Sequence, residues 1–188
     1  MAVTVANLIM GPGTMYKGSF GTVEPADTLV NSSPAASAWT DVGGTMDGVE
    51  LAITQEYTEL NVDQIVDIPG RRLTKRDFTV KTNLAEPTLE HLDYLMNSAT
   101  GGVTTGSGFK SLEPDVSNSA TQPNYKAFIF DGFAPSSLRR RVIGRKMLNV
   151  EDVSFAYKKD EQTVFTVSLS GHFVSDVIKP FKVVDATA

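Results

Sequence analysis

The chain has 188 residues, 41% of them hydrophobic and 21% charged, with a formal net charge of −5. That length suits one domain with a substantial core, or one domain with extended arms, and the composition predicts a soluble globular protein, not a disordered one. The absence of cysteine excludes disulfides, thiolate metal sites and cysteine nucleophiles. The amino-terminal MAVTVANLIMGPG has neither the basic start nor the long apolar run of a signal peptide, and no stretch approaches a membrane span. Together these features predict a protein made and kept in a cytoplasm-like space.

Residues 1–40 are rich in Gly, Pro, Ser and Ala and predict an extended arm with a short strand near Met15–Phe20. In WTDVGGTMDGVEL (39–51), the only tryptophan precedes Gly43, Gly44 and Gly48, with Asp41 and Asp47 between them. This is turn chemistry, because glycine supplies positive φ and aspartate bonds its own backbone. Trp39 therefore anchors that turn on a core, or serves as an anchor for a partner. A strand follows over about Val49–Tyr57, where Val49, Leu51 and Ile53 alternate with Glu50, Ala52 and Thr54. The stretch TELNVDQIVDIPGRR (58–72) has no sustained period and predicts a long loop, and loops of that length are usually functional or disordered.

A second strand over about Thr74–Leu84 places Phe78, Val80 and Leu84 on one face and Lys75, Asp77, Thr79, Lys81 and Asn83 on the other. A helix follows, with Pro87 at its first position, a stripe of Leu89, Leu92, Met96 and Ala99, and Gly101-Gly102 as its stop. His91 falls off that stripe and is expected to face solvent. Residues 100–124 read as a surface loop by composition. YKAFIFDGF (125–133) is apolar on both faces, as in a strand covered on both sides. Further strands are predicted at Leu138–Asn149, at Glu151–Tyr157 and at Val164–Phe173, the last two joined as a hairpin through KKDEQ. Residues 174–188 are expected to form a polar tail.

Four of the predicted strands pair an apolar face with a small polar one: Ala52/Thr54, Thr79/Asn83, Ser154/Ala156 and Thr166/Ser168/Ser170. Such a lining, punctuated by Glu50, Glu56 and Asp152, suits either a plain solvent face or the wall of a channel. Charge is segregated as well. Residues 18–70 hold nine acidic side chains and no Lys, Arg or His, and basic blocks follow at Arg71, Arg72, Lys75, Arg76 and Lys81 and at Arg139, Arg140, Arg141, Arg145 and Lys146. These are solvated faces, or they are complementary surfaces for self-association. Nucleic-acid binding by the basic blocks is disfavoured by the acidic balance and by the lack of interleaved aromatic residues. No metal-ligand spacing, nucleophile elbow or phosphate loop occurs, and His91 and His172 lie far apart. No enzyme activity, cofactor or metal is therefore expected. Asn31-Ser32-Ser33 fits a glycosylation sequon, without a secretory signal to expose it.

The order GPGTMYKGSFGTVEPADT, AWTDVGGTMDGVEL, the acidic strand and loop, RRLTKRDFTVKTNLAEPTLEHLDYLM, AFIFDGFAPSS and RRRVIGRKMLNVEDVSFAYKKDEQTVFTVSLSGHF resembles the major tail tube protein of long-tailed, non-contractile bacteriophages. The likeness spans nearly the whole chain. It implies a mainly β, sandwich- or barrel-like fold with one helix, forming a single domain over residues 1–188. Its inner strands would join a β-barrel shared across a hexameric ring, and rings would stack into the tube through which the genome is ejected. The resemblance implies as partners other copies of the chain, a tape measure protein in the lumen, tail terminator and tail tip proteins, and viral DNA that passes without specific binding. It also implies assembly in the host cytoplasm and residence in the virion tail. On this basis Glu50, Thr54, Glu56, Asp77, Asp152, Ser154, Thr166, Ser168 and Ser170 are expected to face the lumen. Asp63, Asp67, Arg71, Arg72, Arg139, Arg140, Arg141 and Arg145 are expected between subunits, with 58–72 and the two termini as inter-subunit arms and Trp39 as a structural anchor. Lys75 and Lys81 depart from the polar pattern and require carboxylate partners. Two alternatives remain: the inner tube of a contractile injection or type VI secretion-like system, and a monomeric β-sandwich carbohydrate-binding module with Trp39 and Tyr57 as its stacking platform.

Overall fold

The structure, a computed structural model, describes Thr4 and residues 7–98, 102–114 and 122–187. It is mainly β with one helix: β1 (Thr14–Ser19), β2 (Thr40–Asp41), β3 (Thr45–Leu60), β4 (Gly70–Leu84), α1 (Leu89–Leu95), β5 (Gly102–Gly106), β6 (Phe109–Glu113), β7 (Lys126–Phe133), β8 (Arg139–Asn149), β9 (Phe165–Gly171) and β10 (Phe181–Asp185). One antiparallel sheet runs in the order β2-β1-β7-β8-β9-β4-β3, and β10 adds to β8. The second long edge of β8 is divided, with β10 along Arg140–Gly144 and β9 along Met147–Asn149.

An interior strand of the sheet is β7, between β1 and β8, whose apolar residues point both ways, as its sequence predicts. Phe128 joins Met15, Phe78, Val80, Leu84, Val142, Met147 and Leu169 in the main core. Ala127 and Ile129 instead meet Ile143 and Trp39 on the back of the sheet. Close packing leaves no room for a side chain at position 144, since a Cβ there would lie 2.2 Å from the Phe128 ring. The back face is covered by the chain between β1 and β2. Arg141 and Asp131 are cross-strand partners on that face, and the Arg141 side chain is only 2% exposed. Its Nε and Nη2 donate to the two Asp131 oxygens at 2.6 and 2.7 Å. Its remaining bonds go to the Ser32 and Leu29 carbonyls at 2.6 and 3.3 Å. Glu24 on Arg145 and Asp27 on Lys182 fix the same segment at two further points.

The helix is displaced from its expected face. Thr88 caps it, its hydroxyl accepting from the His91 amide at 3.2 Å, so Pro87 lies outside the helix and not at its first position. Leu92 of the expected stripe packs against the core, and His91, Tyr94 and Leu95 face inward beside it, while Met96 is exposed; Ala99 and Gly101 lie outside the described residues. Polar side chains occupy this inner face because each finds a partner. The Tyr94 hydroxyl donates to the Ala127 carbonyl at 3.1 Å, and His91 Nδ1 lies 2.7 Å from the Glu86 carbonyl oxygen. His91 is thus buried, not solvent-facing.

Other expectations change as well. The 58–72 loop shrinks to 61–69, because β3 and β4 extend to Leu60 and Gly70. At its other end β3 begins at Thr45, accommodating Asp47 and Gly48 as a bulge with φ of 64° and 80°. The surface loop contains the β5–β6 hairpin, turning at Ser107-Gly108 where Gly108 has φ +84°; residues 115–121 lie outside the described residues. The carboxy-terminal tail contributes β10. No strand forms at Glu151–Tyr157, so the predicted hairpin with Val164–Phe173 is absent. Asn149 explains this: its Oδ1 accepts from the Ser168 amide at 3.2 Å, where the β8–β9 ladder would otherwise continue. Its Nδ2 donates to the Leu95 and Glu151 carbonyls at 3.2 and 3.0 Å, turning the chain away from β9.

Removing Arg141 strands a buried carboxylate, so Arg141→Ala should cost about 3–5 kcal/mol in denaturant unfolding. Paired replacement by Arg141→Met with Asp131→Leu should cost markedly less, because no charge is then left alone. Burial holds the His91 imidazole below its ordinary 6.5, with Lys17 acting in the same direction against Glu86 and Glu90. The unfolded chain therefore takes the proton first. Stability from this group is complete above pH 6.5 and falls as pH drops through the depressed folded value. The thermal midpoint of the native chain should drop more between pH 7.5 and pH 5.5 than that of His91→Gln; equal drops would place the acid sensitivity elsewhere.

Candidate assembly surface

The longest described element is also largely exposed, with no buried residue along it. β3 has 16 residues and ends the sheet, pairing with β4 and, among the described residues, with no other strand. β4 is supported by β9 only from Thr79 to Leu84. From Ile53 to Leu60 and from Gly70 to Phe78, the two strands pair only with each other, as a ribbon. Eight residues at about 3.3 Å each carry its tip roughly 25 Å beyond the supported sheet.

Alternation gives this ribbon two unlike faces. The core-side face starts with Val49, Leu51, Phe78 and Val80 packed in the core, then continues outward with Ile53, Tyr57 and Leu73 exposed. The turn adds exposed Leu60, Val62, Ile65, Val66 and Ile68. This exposed apolar set, interrupted along the ribbon by the Gln55–Arg76 and Glu59–Arg71 pairs, is not among the expectations drawn from the sequence. Its signal was present in VDQIVDIP, where four aliphatic residues follow no period that would bury them in a strand or helix.

The other face is polar. Cross-strand pairs Glu50–Lys81, Thr54–Asp77 and Glu56–Lys75 lie along it, and β9 extends it through Lys81–Ser168, Thr79–Ser170 and Asn83–Thr166. The structure thus brings together seven of the residues expected to line a lumen: Glu50, Thr54, Glu56, Asp77, Thr166, Ser168 and Ser170. Asp152 and Ser154 lie instead on the strandless connection after Asn149. Ser168 is only 2% exposed. The lysines find the carboxylates that the pattern required. Lys75 Nζ is 2.6 Å from Asp77 and 3.6 Å from Glu56, and Lys81 Nζ is 3.1 Å from Glu151. The hydrogen bond to Asp77 pushes the Lys75 ammonium up. Those from Lys81 and then Ser168 hold the Glu151 carboxyl below its usual range. Four carboxylates (Glu50, Glu56, Asp77 and Glu151) thus share this face with two ammoniums and, opposite Thr58, the Arg72 guanidinium.

The residues expected between subunits divide into two groups. Asp63 and Asp67 sit on the exposed tip, and Arg71 and Arg72 lie on the ribbon, with Arg71 bonded to Glu59 at 2.8 Å. The second basic block serves the subunit itself. Arg140 grips Asp185 through two bonds of 2.6 and 2.7 Å, Arg145 holds Glu24, and buried Arg141 cannot reach another chain. Arg139 is half-buried at the start of β8. Trp39 is an anchor, 3% exposed, its indole N–H donating to the Val23 carbonyl at 3.0 Å. A ring so enclosed offers no stacking platform for a sugar.

No model of a known protein family matches this sequence, and no curated protein matches it either.

In dilute protein the amides of the outer ribbon should exchange with deuterium far faster than those of β7 and β8, because only two strands protect them. Equal protection of Thr54–Asp77 and β7 would show that the ribbon already has a cover.

Proposed function

We propose that the chain is the repeating structural subunit of a tube, in which ribbons of neighbouring copies join edge to edge around a bore. The observation that carries this is the 16-residue edge of β3, bare among the described residues, on a ribbon that leaves Ile53, Tyr57 and Leu73 exposed on its core-side face. A long unpaired edge templates further strand pairing, and closure into a shared barrel is the arrangement that removes it without leaving a new edge. Two-stranded ribbons are marginal in water, so this one gains order by acquiring neighbours. Contacts of head-to-tail type close into rings or run on as filaments, depending on the rotation between copies.

The polar face supplies the bore. Its lysines are engaged by carboxylates, and carboxylates remain in excess, so a polyanion meets repulsion and not binding sites. That repulsion acts over a Debye length of roughly 8–10 Å at physiological salt. Together with the resemblance to the tail tube proteins of long-tailed phages, this supports a conduit for genome ejection built of stacked hexameric rings. A tape measure protein would occupy the lumen before ejection, and terminator and tip proteins would close the ends. Assembly would take place in the host cytoplasm, with the finished tube in the virion tail. The inner tube of a contractile injection system belongs to the same structural class, and the same surface serves it. The carbohydrate-binding alternative loses its platform with the burial of Trp39.

Negative-stain microscopy of the purified chain over a concentration series tests this function. Rings or hollow tubes are expected. Compact monomers at every concentration and salt condition would overturn it.

A further inference from the structure

The tip of the ribbon is apolar and acidic: Val62, Ile65, Val66 and Ile68 are exposed, and Asp63 and Asp67 are the only charges between residues 61 and 69. The back of the sheet carries a surface of opposite character. A cavity of about 340 Å³ opens there, floored by Trp39, Ala127 and Ile143 and rimmed by Phe20, Val174 and Ile178. That volume lies in the range of about 300–1,000 Å³ typical of ligand cavities. Phe20 and Ile178 are both exposed at the mouth. Next to Phe20, Lys146 holds its ammonium 5.7 Å from that ring and 4.4 Å from the Tyr125 ring, and no carboxylate among the described residues pairs with it. The neighbouring Arg145 is different, because Glu24 already occupies its guanidinium.

We propose that this cavity receives the ribbon tip of a second copy of the chain, with aliphatic side chains entering it and the tip carboxylates meeting Lys146. The inference rests on the tube function and names the acceptor that the function requires. Three observations single out a second copy as the occupant. Charge is complementary, an acidic tip against the Lys146 ammonium, which lies over the Phe20 and Tyr125 rings with no carboxylate partner among the described residues. The donor and acceptor lie on different elements, so each copy both gives and receives, as a repeating assembly needs. Self-docking is blocked, because the strands are paired up to Leu60–Gly70 and hold the tip away from the sheet.

The lack of any native cysteine makes the test specific. The full chain carrying Val66→Cys and Ile178→Cys would be treated with a short thiol-to-thiol cross-linker under conditions where the unmodified chain assembles. A ladder of covalent dimers, trimers and higher species is expected, and either single variant should stop at dimers. Val174→Cys serves as the rim position should Ile178→Cys lower the thermal midpoint. Independently, Lys146→Glu should raise the concentration needed for assembly at least tenfold, and adding Asp63→Lys and Asp67→Lys to the same chain should restore it. If tubes form but no ladder appears and Lys146→Glu assembles normally, the docking site is overturned while the tube function stands. If the native chain never assembles, both are overturned.

Discussion

A guanidinium can sit inside a sheet only where its N–H groups find acceptors, and Arg141 makes four such bonds: two to Asp131, one to Ser32 and one to Leu29. The acceptors come from two separate parts of the chain. Asp131 belongs to the neighbouring strand, whereas the carbonyls belong to a segment about 110 residues earlier and without a regular strand of its own. Satisfying this one cation therefore dictates where residues 20–42 lie. Once they lie there, Trp39 reaches Ala127, Ile129 and Ile143, and Glu24 and Asp27 reach Arg145 and Lys182. The chain then turns at Gly43, whose φ of +76° suits glycine, and the Gly44 amide donates to the Glu86 carboxylate at 2.9 Å. The starting point of β3, and so the direction of the whole ribbon, descends from that sequence of contacts.

The two ends of the molecule treat charge and apolar surface in opposite ways. On the sheet, Arg140, Arg141 and Arg145 are engaged within the subunit, and Phe128 and Ile129 are enclosed on opposite faces. On the ribbon, apolar side chains remain in water and the polar face carries more carboxylate than ammonium. A monomeric protein gains nothing from such a division, because exposed apolar surface and a bare strand edge are liabilities in solution. On the proposed function, the division suits a subunit whose core stands alone and whose projecting part neighbours would complete.

Much of the fold was legible because alternation is a direct consequence of strand geometry. The two-sided burial of Phe128, Ile129 and Phe130, the polar row of Glu50, Thr54 and Glu56, and the need of Lys75 and Lys81 for acids all follow from a period of two. What escaped was chemistry that overrides the period. Arg141 reads as one of three consecutive surface arginines, yet it shares its face with Ile143 and stands opposite the lone acid in AFIFDGF, a pairing visible only once the register is known. Asn149 ends a strand through its side chain, and no pattern of hydrophobicity reports that. His91 and Tyr94 took the inner face of a seven-residue helix because a carbonyl was within reach of each, which rotated the apparent stripe. The acidic tip was recognised as a loop for its lack of period, but its aliphatic content was the more informative feature.

The pairing of β1 with β7, where Tyr16 lies opposite Ile129, joins positions more than a hundred residues apart. Contacts of such separation form late, since the intervening chain must first lose its freedom to roam. The β3–β4 hairpin, by contrast, is local and can zip from its own turn within microseconds. During folding the sticky ribbon is thus ready before the body that should orient it. On the proposed function, that order of events exposes an unpaired strand edge before the sheet has closed, which places the hazard of premature pairing early in folding.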